Sequence, residues 1–272
     1  MKKRRLLTGL LLLVLLVCIV QVGRHLYERA AREREYEDAA QAAGLLPGRR
    51  EAELPPPAAQ TEPEGPPMPE EIQALASIDL EALRTVNPDV AGWIEIPGTQ
   101  LSYPVLYGTD NQYYLTHTWA GEVNSGGSIF LECTGKRDFS DFHTIIYGHR
   151  MRDGSMFGSL RNYRDRAYWE EHPAVYVAFD GGVYRYEIFA AQEAGVTSLV
   201  YRLDLEESGI EESFIQACLE GSSIDTGVTP SAEDQILTLS TCTGIGYATR
   251  WVVHAVLTGH TERTLDAASY KS

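Results

Sequence analysis

Cys242 closes the segment Thr238-Leu239-Ser240-Thr241-Cys242, and Arg250 follows eight positions later. The segment continues from Gln235-Ile236-Leu237, which reads as a β-strand, and Trp251-Val252-Val253-His254-Ala255-Val256-Leu257 starts a second strand directly after Arg250. A thiol at one strand end, faced by a guanidinium where the next strand begins, suits acyl transfer. Thiolate attack on a carbonyl creates an oxyanion that Arg can stabilise. Arg250 could equally clamp a substrate backbone, because its planar fork carries several fixed donors. The backbone N–H of Thr243 is the simplest second oxyanion donor. A proton carrier is also needed, and Ile145-Ile146-Tyr147-Gly148-His149 offers one. The apolar run delivers His149 to a strand end, and Gly148 is expected to let the backbone turn closely there. His254 is nearer to Cys242 in sequence. It alternates within the last strand on the face of Arg250, Val252 and Val256, where a core or supporting histidine is expected.

Thr-Leu-Ser-Thr-Cys with a downstream Arg, preceded by Tyr147-Gly148-His149, resembles the sortases, the cysteine transpeptidases of Gram-positive cell surfaces. Arg150-Met151-Arg152-Asp153-Gly154-Ser155-Met156-Phe157 and Asp110-Asn111-Gln112-Tyr113-Tyr114-Leu115 are similar to the class B branch. The similarity runs from about Ile72 to Thr261, with its motifs in order. It implies that Cys242 attacks a threonine carbonyl in a C-terminal sorting signal of a secreted protein, with His149 as acid and base and Arg250 beside them. An amino group of a peptidoglycan precursor would then resolve the thioacyl-enzyme. Class B resemblance further implies a signal of the Asn-Pro-x-Thr type, and often a role with haem-iron surface proteins. By the same resemblance Asn111 and Leu115 line the peptide groove, with Tyr147 and Ser240 beside the catalytic pair. Core packing is the competing reading for Leu115 and Tyr147. Residues 205–220 and the loop 221–234 would form one groove wall.

The Cys-to-Arg interval, Thr243 to Thr249, looks shorter than in some class B sortases and would narrow that end of the cleft. No cofactor is needed for this chemistry, and no carboxylate cluster demands a metal. Three rivals remain open. A pilin-polymerising sortase would carry an Asp-Pro-aromatic lid, which residues 45–71 do not contain. A hydrolytic cysteine protease would use the same residues with water as acceptor. In an extracellular binding module the cysteine and histidine would be core residues only.

These side chains need a scaffold that converges distant strand ends. Eight short apolar runs separated by turn residues qualify: Val90–Ile96, Leu101–Leu106, Gly127–Leu131, Thr144–Tyr147, Ala174–Phe179, Val183–Ala191, Gln235–Leu239 and Trp251–Leu257. They read as a mainly β fold, a closed or nearly closed β-barrel; the resemblance implies the closed eight-stranded sortase-type barrel with an N-terminal helix. A helix is expected over Ile72 to Leu83, ending before Asn87-Pro88. Met156–Glu171 and Leu205–Glu220 read as helical inserts.

The N-terminus has its own organisation. Lys2-Lys3-Arg4-Arg5 precede an apolar run, Leu6 to Val22. That run is near the short end for a membrane span and lacks a clear small-x-small cleavage site. It reads as an uncleaved anchor with its N-terminus in the cytoplasm and the rest outside. The expected organisation is a basic tail over 1–5, an anchor over 6–23, a juxtamembrane helix and Pro-rich linker over 24–69, and the catalytic domain over 70–272. The linker is expected to hold the catalytic domain away from the membrane. A net charge of −15 argues against nucleic acid as a partner. Of four cysteines, Cys18 lies in the anchor. A Cys133–Cys218 disulfide is open, although the helical pattern around Cys218 favours a small buried apolar role.

Overall fold

Each of the eight apolar runs forms a strand, and together they close a barrel. The computed structural model describes residues 2–45, 70–242 and 248–261. The strands are β1 (Val90–Glu95), β2 (Ser102–Leu106), β3 (Ile129–Leu131), β4 (His143–His149), β5 (Ala174–Phe179), β6 (Gly182–Gly195), β7 (Ile236–Cys242) and β8 (Thr249–Thr261). Their order around the barrel is β1-β2-β3-β4-β7-β8-β6-β5, and β5 pairs back onto β1. Closure pairs every strand on both sides, so no edge is left for other chains to add to. Two neighbours are parallel, β2–β3 and β4–β7; the rest are antiparallel. The β4–β7 pair carries His149 and Cys242. A parallel pair brings like ends together, so residues at both C-terminal ends share one rim.

Trp93, Phe130, Phe157, Tyr163 and Tyr186 are among the largest fully buried side chains of the main core. A second core forms where Phe214, Ile215 and Cys218 pack against Phe142, Phe189, Val252 and Val256.

The helices are more broken than the periodicity implies. The single helix expected over residues 72–83 is two, α2 (Glu70–Ala76) and α3 (Leu80–Val86). Asp79 separates them by capping α3, accepting a hydrogen bond from the Ala82 N–H at 2.9 Å. The insert over 156–171 is mostly a 3₁₀ segment (Gly158–Arg164) followed by α4 (Arg166–Glu171). The insert over 205–220 divides into α5 (Leu205–Ser208) and α6 (Glu211–Gly221) at Gly209, whose φ of 61° is left-handed.

One uninterrupted helix, α1 (Lys2–Ala42), contains both the apolar run and the juxtamembrane segment. It includes an apolar window of mean hydropathy 2.3, none of it buried, so α1 is long and apolar enough to cross a membrane. Beyond that window Arg32, Tyr36, Ala39 and Ala43 are buried, a spacing that puts them on one face. This face lies on the barrel. Tyr36 Oη donates to the Gly127 carbonyl at 3.1 Å, Trp119 Nε1 donates to the Glu35 carbonyl at 3.1 Å, and the Asp79 N–H donates to the Ala43 carbonyl at 3.0 Å. Residues 46–69, most of the expected Pro-rich spacer, lie outside the described residues. Helix α1 itself contacts residues around the barrel ahead of that stretch.

Candidate active site

His149 and Cys242 occupy the same rung of the parallel β4–β7 ladder, each as the last residue of its strand. The ladder runs in unbroken register from His143↔Ile236 to this terminal pair. Arg250 enters from the other side of β7. The antiparallel β7–β8 register ends at Ser240↔Val252, and continuing it two residues sets Arg250 opposite Cys242. Thr241 holds the strands together over this interval. Its Oγ1 donates to the Trp251 carbonyl and accepts from the Trp251 N–H, both at 3.2 Å. The three residues singled out by type thus meet at one rim of the barrel backbone. Thr243, the expected second oxyanion donor, lies outside the described residues, as does most of the short Cys-to-Arg turn.

The ring of His149 is oriented by a backbone carbonyl. Its Nε2 lies 2.7 Å from the Leu115 oxygen, so Nε2 carries a hydrogen and donates it. In a neutral ring Nδ1 is then the acceptor nitrogen. Leu115 ends the 3₁₀ turn Tyr113–Leu115, and the flanking carbonyls are also taken. The Ser128 N–H donates to Tyr114 O at 2.8 Å, and the Asn124 N–H donates to Thr116 O at 2.9 Å. Leu115 thus contributes a carbonyl to the histidine while its half-buried side chain packs on the core.

Gly148 was expected to allow a turn before His149, but it lies inside β4. Packing, not conformation, explains the glycine. A Cβ there would come within 2.4 Å of Ile129 Cδ1 and 2.8 Å of the Phe157 ring.

Asn111 and Tyr147 converge on a residue that sequence reasoning did not single out, Glu132. Asn111 Nδ2 donates to Glu132 Oε1 at 2.6 Å, and Tyr147 Oη donates to Oε2 at 2.8 Å. Asn111 Oδ1 in turn accepts from the Cys133 N–H at 2.9 Å. Burial opposes ionisation of Glu132, but the hydrogen bonds from Asn111, Tyr147 and Thr134 outweigh it and hold the carboxyl below its ordinary range. Ser240 shares a rung with Tyr147, is buried, and lies 2.8 Å from Tyr201 Oη.

His254 is a core residue in a buried polar chain. Gln192 Nε2 donates to His254 Nε2 (3.2 Å), His254 Nδ1 to Thr238 Oγ1 (2.9 Å), Thr238 Oγ1 to His143 Nε2 (2.7 Å), and His143 Nδ1 to the Arg202 carbonyl (2.8 Å). Each nitrogen has one role only if both imidazoles are neutral. Burial pushes His143 down to about 4; burial and the neighbouring His143 push His254 down to about 3.

Cys133 and Cys218 are not joined; both are free thiols. Burial raises the Cys133 thiol, and the charge of Glu132 raises it further; burial alone raises Cys218. Among the described residues no cluster of His, Cys, Asp or Glu is placed to hold a metal.

Comparison with known proteins agrees with this fold. A family model described as "Sortase domain" matches residues 94–258. Sortase B of Listeria monocytogenes is 37% identical over 166 residues, 60% of this chain and 67% of that protein. Sortase B of Staphylococcus aureus is 33% identical over 60% of this chain and 66% of that protein, so the chain spans about two thirds of these relatives' length. A structure described as a Staphylococcus aureus sortase B–substrate complex superposes with a TM-score of 0.64 at 31% identity, covering 66% of this chain and 85% of that one.

Proposed function

Because the chain belongs to the sortase family, we propose that it is a membrane-anchored class B cysteine transpeptidase that moves secreted proteins onto an amine of the cell wall precursor. The observation that carries this reading is the shared rung of His149 and Cys242, with Arg250 on the next strand. In the first half-reaction the Cys242 thiol passes its proton to His149 Nδ1, and its sulfur bonds to the carbonyl carbon of a threonine in a C-terminal sorting signal. The C–N bond then breaks, and His149 Nδ1 supplies the proton to the leaving amine. Arg250 stabilises the oxyanion or clamps the peptide backbone beside it. In the second, an amino group attacks the thioester and gives its proton to His149, the C–S bond breaks, and His149 returns the proton to the Cys242 sulfur. The backbone N–H of Thr243 is a further oxyanion donor in this scheme.

Asn111, Leu115, Tyr147 and Ser240 border the groove in this reading, and the signal is of the Asn-Pro-x-Thr type. The anchor is α1, with its N-terminus in the cytoplasm and the barrel outside. The acceptor distinguishes this activity from its rivals. Incubating the full chain with an Asn-Pro-x-Thr peptide, with and without a glycine-based amine, should give a new amide only when the amine is present. Free acid in both tubes would identify a hydrolase, and a lysine side chain as the sole acceptor would identify a pilin polymerase.

A further inference from the structure

Helix α1 touches both chain segments that fix the catalytic histidine. The first is the segment holding its ring. Leu115 O receives His149 Nε2–H, and the carbonyls on either side are tied to Ser128 and Asn124. Both of those residues contact α1. Asn124 Oδ1 accepts from Arg32 Nη1 at 3.3 Å and its Nδ2 donates to the Glu28 carbonyl at 3.0 Å, while Tyr36 Oη lies 3.4 Å from Ser128 Oγ. The fit around Arg32 is close: a Cβ on Gly126 would overlap its guanidinium.

The second segment follows the histidine directly. The Phe157 N–H donates to the His149 carbonyl at 3.0 Å, closing a loop over residues 150–156. Asp153 sits in that loop, accepting from Ser155 Oγ at 2.6 Å and facing Arg29 (3.3 Å) and Arg32 (3.7 Å). Arg32 is only 4% exposed, so its charge is removed from water and compensated by Asn124 and Asp153 together. One guanidinium therefore bridges the segment before the catalytic residue and the segment after it.

We propose that Arg32 is a positioning residue for catalysis, through which the docked part of α1 holds the Leu115 carbonyl on His149 Nε2 and so fixes the ring with Nδ1 toward the reaction. This rests on the assignment of His149 as the acid and base. The same helix carries the apolar span, so the membrane anchor is also part of the active-site scaffold. A barrel stripped of residues 1–45 would lack this brace.

The test uses the full chain in detergent micelles or nanodiscs, comparing wild type with Arg32→Met, Arg32→Lys, Tyr36→Phe and Arg24→Gln. Among the described residues Arg24 pairs with Glu28 alone, and it serves as the control. With peptide and amine as substrates, Arg32→Met should lower kcat about 10- to 100-fold with KM within about twofold. Arg32→Lys should recover part of the loss, and Arg24→Gln should match wild type. Ring ¹⁵N spectra of His149 give a readout independent of activity. Nε2 should be the protonated nitrogen in wild type, and Arg32→Met should shift the ring toward a mixture of tautomers. Should Arg32→Met fold poorly, Tyr36→Phe should give a smaller change in the same direction. An unchanged His149 spectrum in Arg32→Met would overturn the proposal, whether or not kcat falls. If wild type transfers no peptide at all, the transpeptidase reading fails, while the spectra still decide the role of Arg32.

Discussion

Asn111 and Tyr147 are joined through Glu132, which accepts from the first at 2.6 Å and from the second at 2.8 Å. Two side chains expected at the peptide groove thus share one carboxylate. Replacing Glu132 by Gln turns one of the two acceptor oxygens into a donor, so one of the two hydrogen bonds is lost. Because the site is only half-buried, the loss is screened to about 1 kcal/mol, so KM for the peptide should rise about fivefold with kcat less affected. Steady-state kinetics of Glu132→Gln checks this; an unchanged KM would remove Glu132 from the groove.

The buried chain through His143, Thr238 and His254 predicts a specific acid sensitivity. In the unfolded chain each imidazole takes up a proton near 6.5, whereas the folded state resists until about 4 for His143 and about 3 for His254. The unfolded state therefore binds more protons within that window. Stability is fully present above 6.5 and falls as pH drops toward 4. Each histidine contributes a slope of up to about 1.4 kcal/mol per pH unit. Urea unfolding of wild type and His254→Gln from pH 7.5 to 4.5 should show the variant losing stability less steeply by about that amount. Thr238→Val leaves two buried nitrogens without partners and should cost about 2–5 kcal/mol at neutral pH.

Gly148 lies against Ile129 and Phe157, with no room for a methyl group. Gly148→Ala should therefore cost about 1–3 kcal/mol by overpacking. It should also lower kcat, because the displaced backbone carries His149. A thermal melt and a rate measurement on the same preparation check both effects.

The thiols should separate by reactivity. Burial and the Glu132 charge raise Cys133, and burial raises Cys218. At neutral pH a small alkylating reagent should modify Cys242 before either of them. Peptide mapping after limited labelling tests this, and Cys133→Ser should leave the rate of labelling unchanged.

The strands were legible because apolar runs bounded by turn residues have few other solutions, and Cys242, His149 and Arg250 stood out because each adjoins such a run. Polar features carry no such signal. The docked face of α1 is built from Arg32, Tyr36, Ala39 and Ala43, with no large aliphatic stripe to mark it as buried. An apolar run followed by a charged segment therefore reads as an anchor with a solvated juxtamembrane helix. Glu132 was hidden among 38 acidic residues, since only the fold sets it between Asn111 and Tyr147. The helical inserts were found but not their breaks, because an Asp79 cap or a left-handed Gly209 interrupts a helix without disturbing its apolar pattern.

Intact and tandem mass spectrometry of the full chain mixed with a sorting-type peptide tests the central claim most directly. An acyl adduct should form on Cys242 and disappear as an added amine is converted to a peptide amide. Cys242→Ala should form no adduct, and His149→Ala should form it far more slowly. An adduct on Cys133 instead, or product formation undiminished in Cys242→Ala, would contradict it.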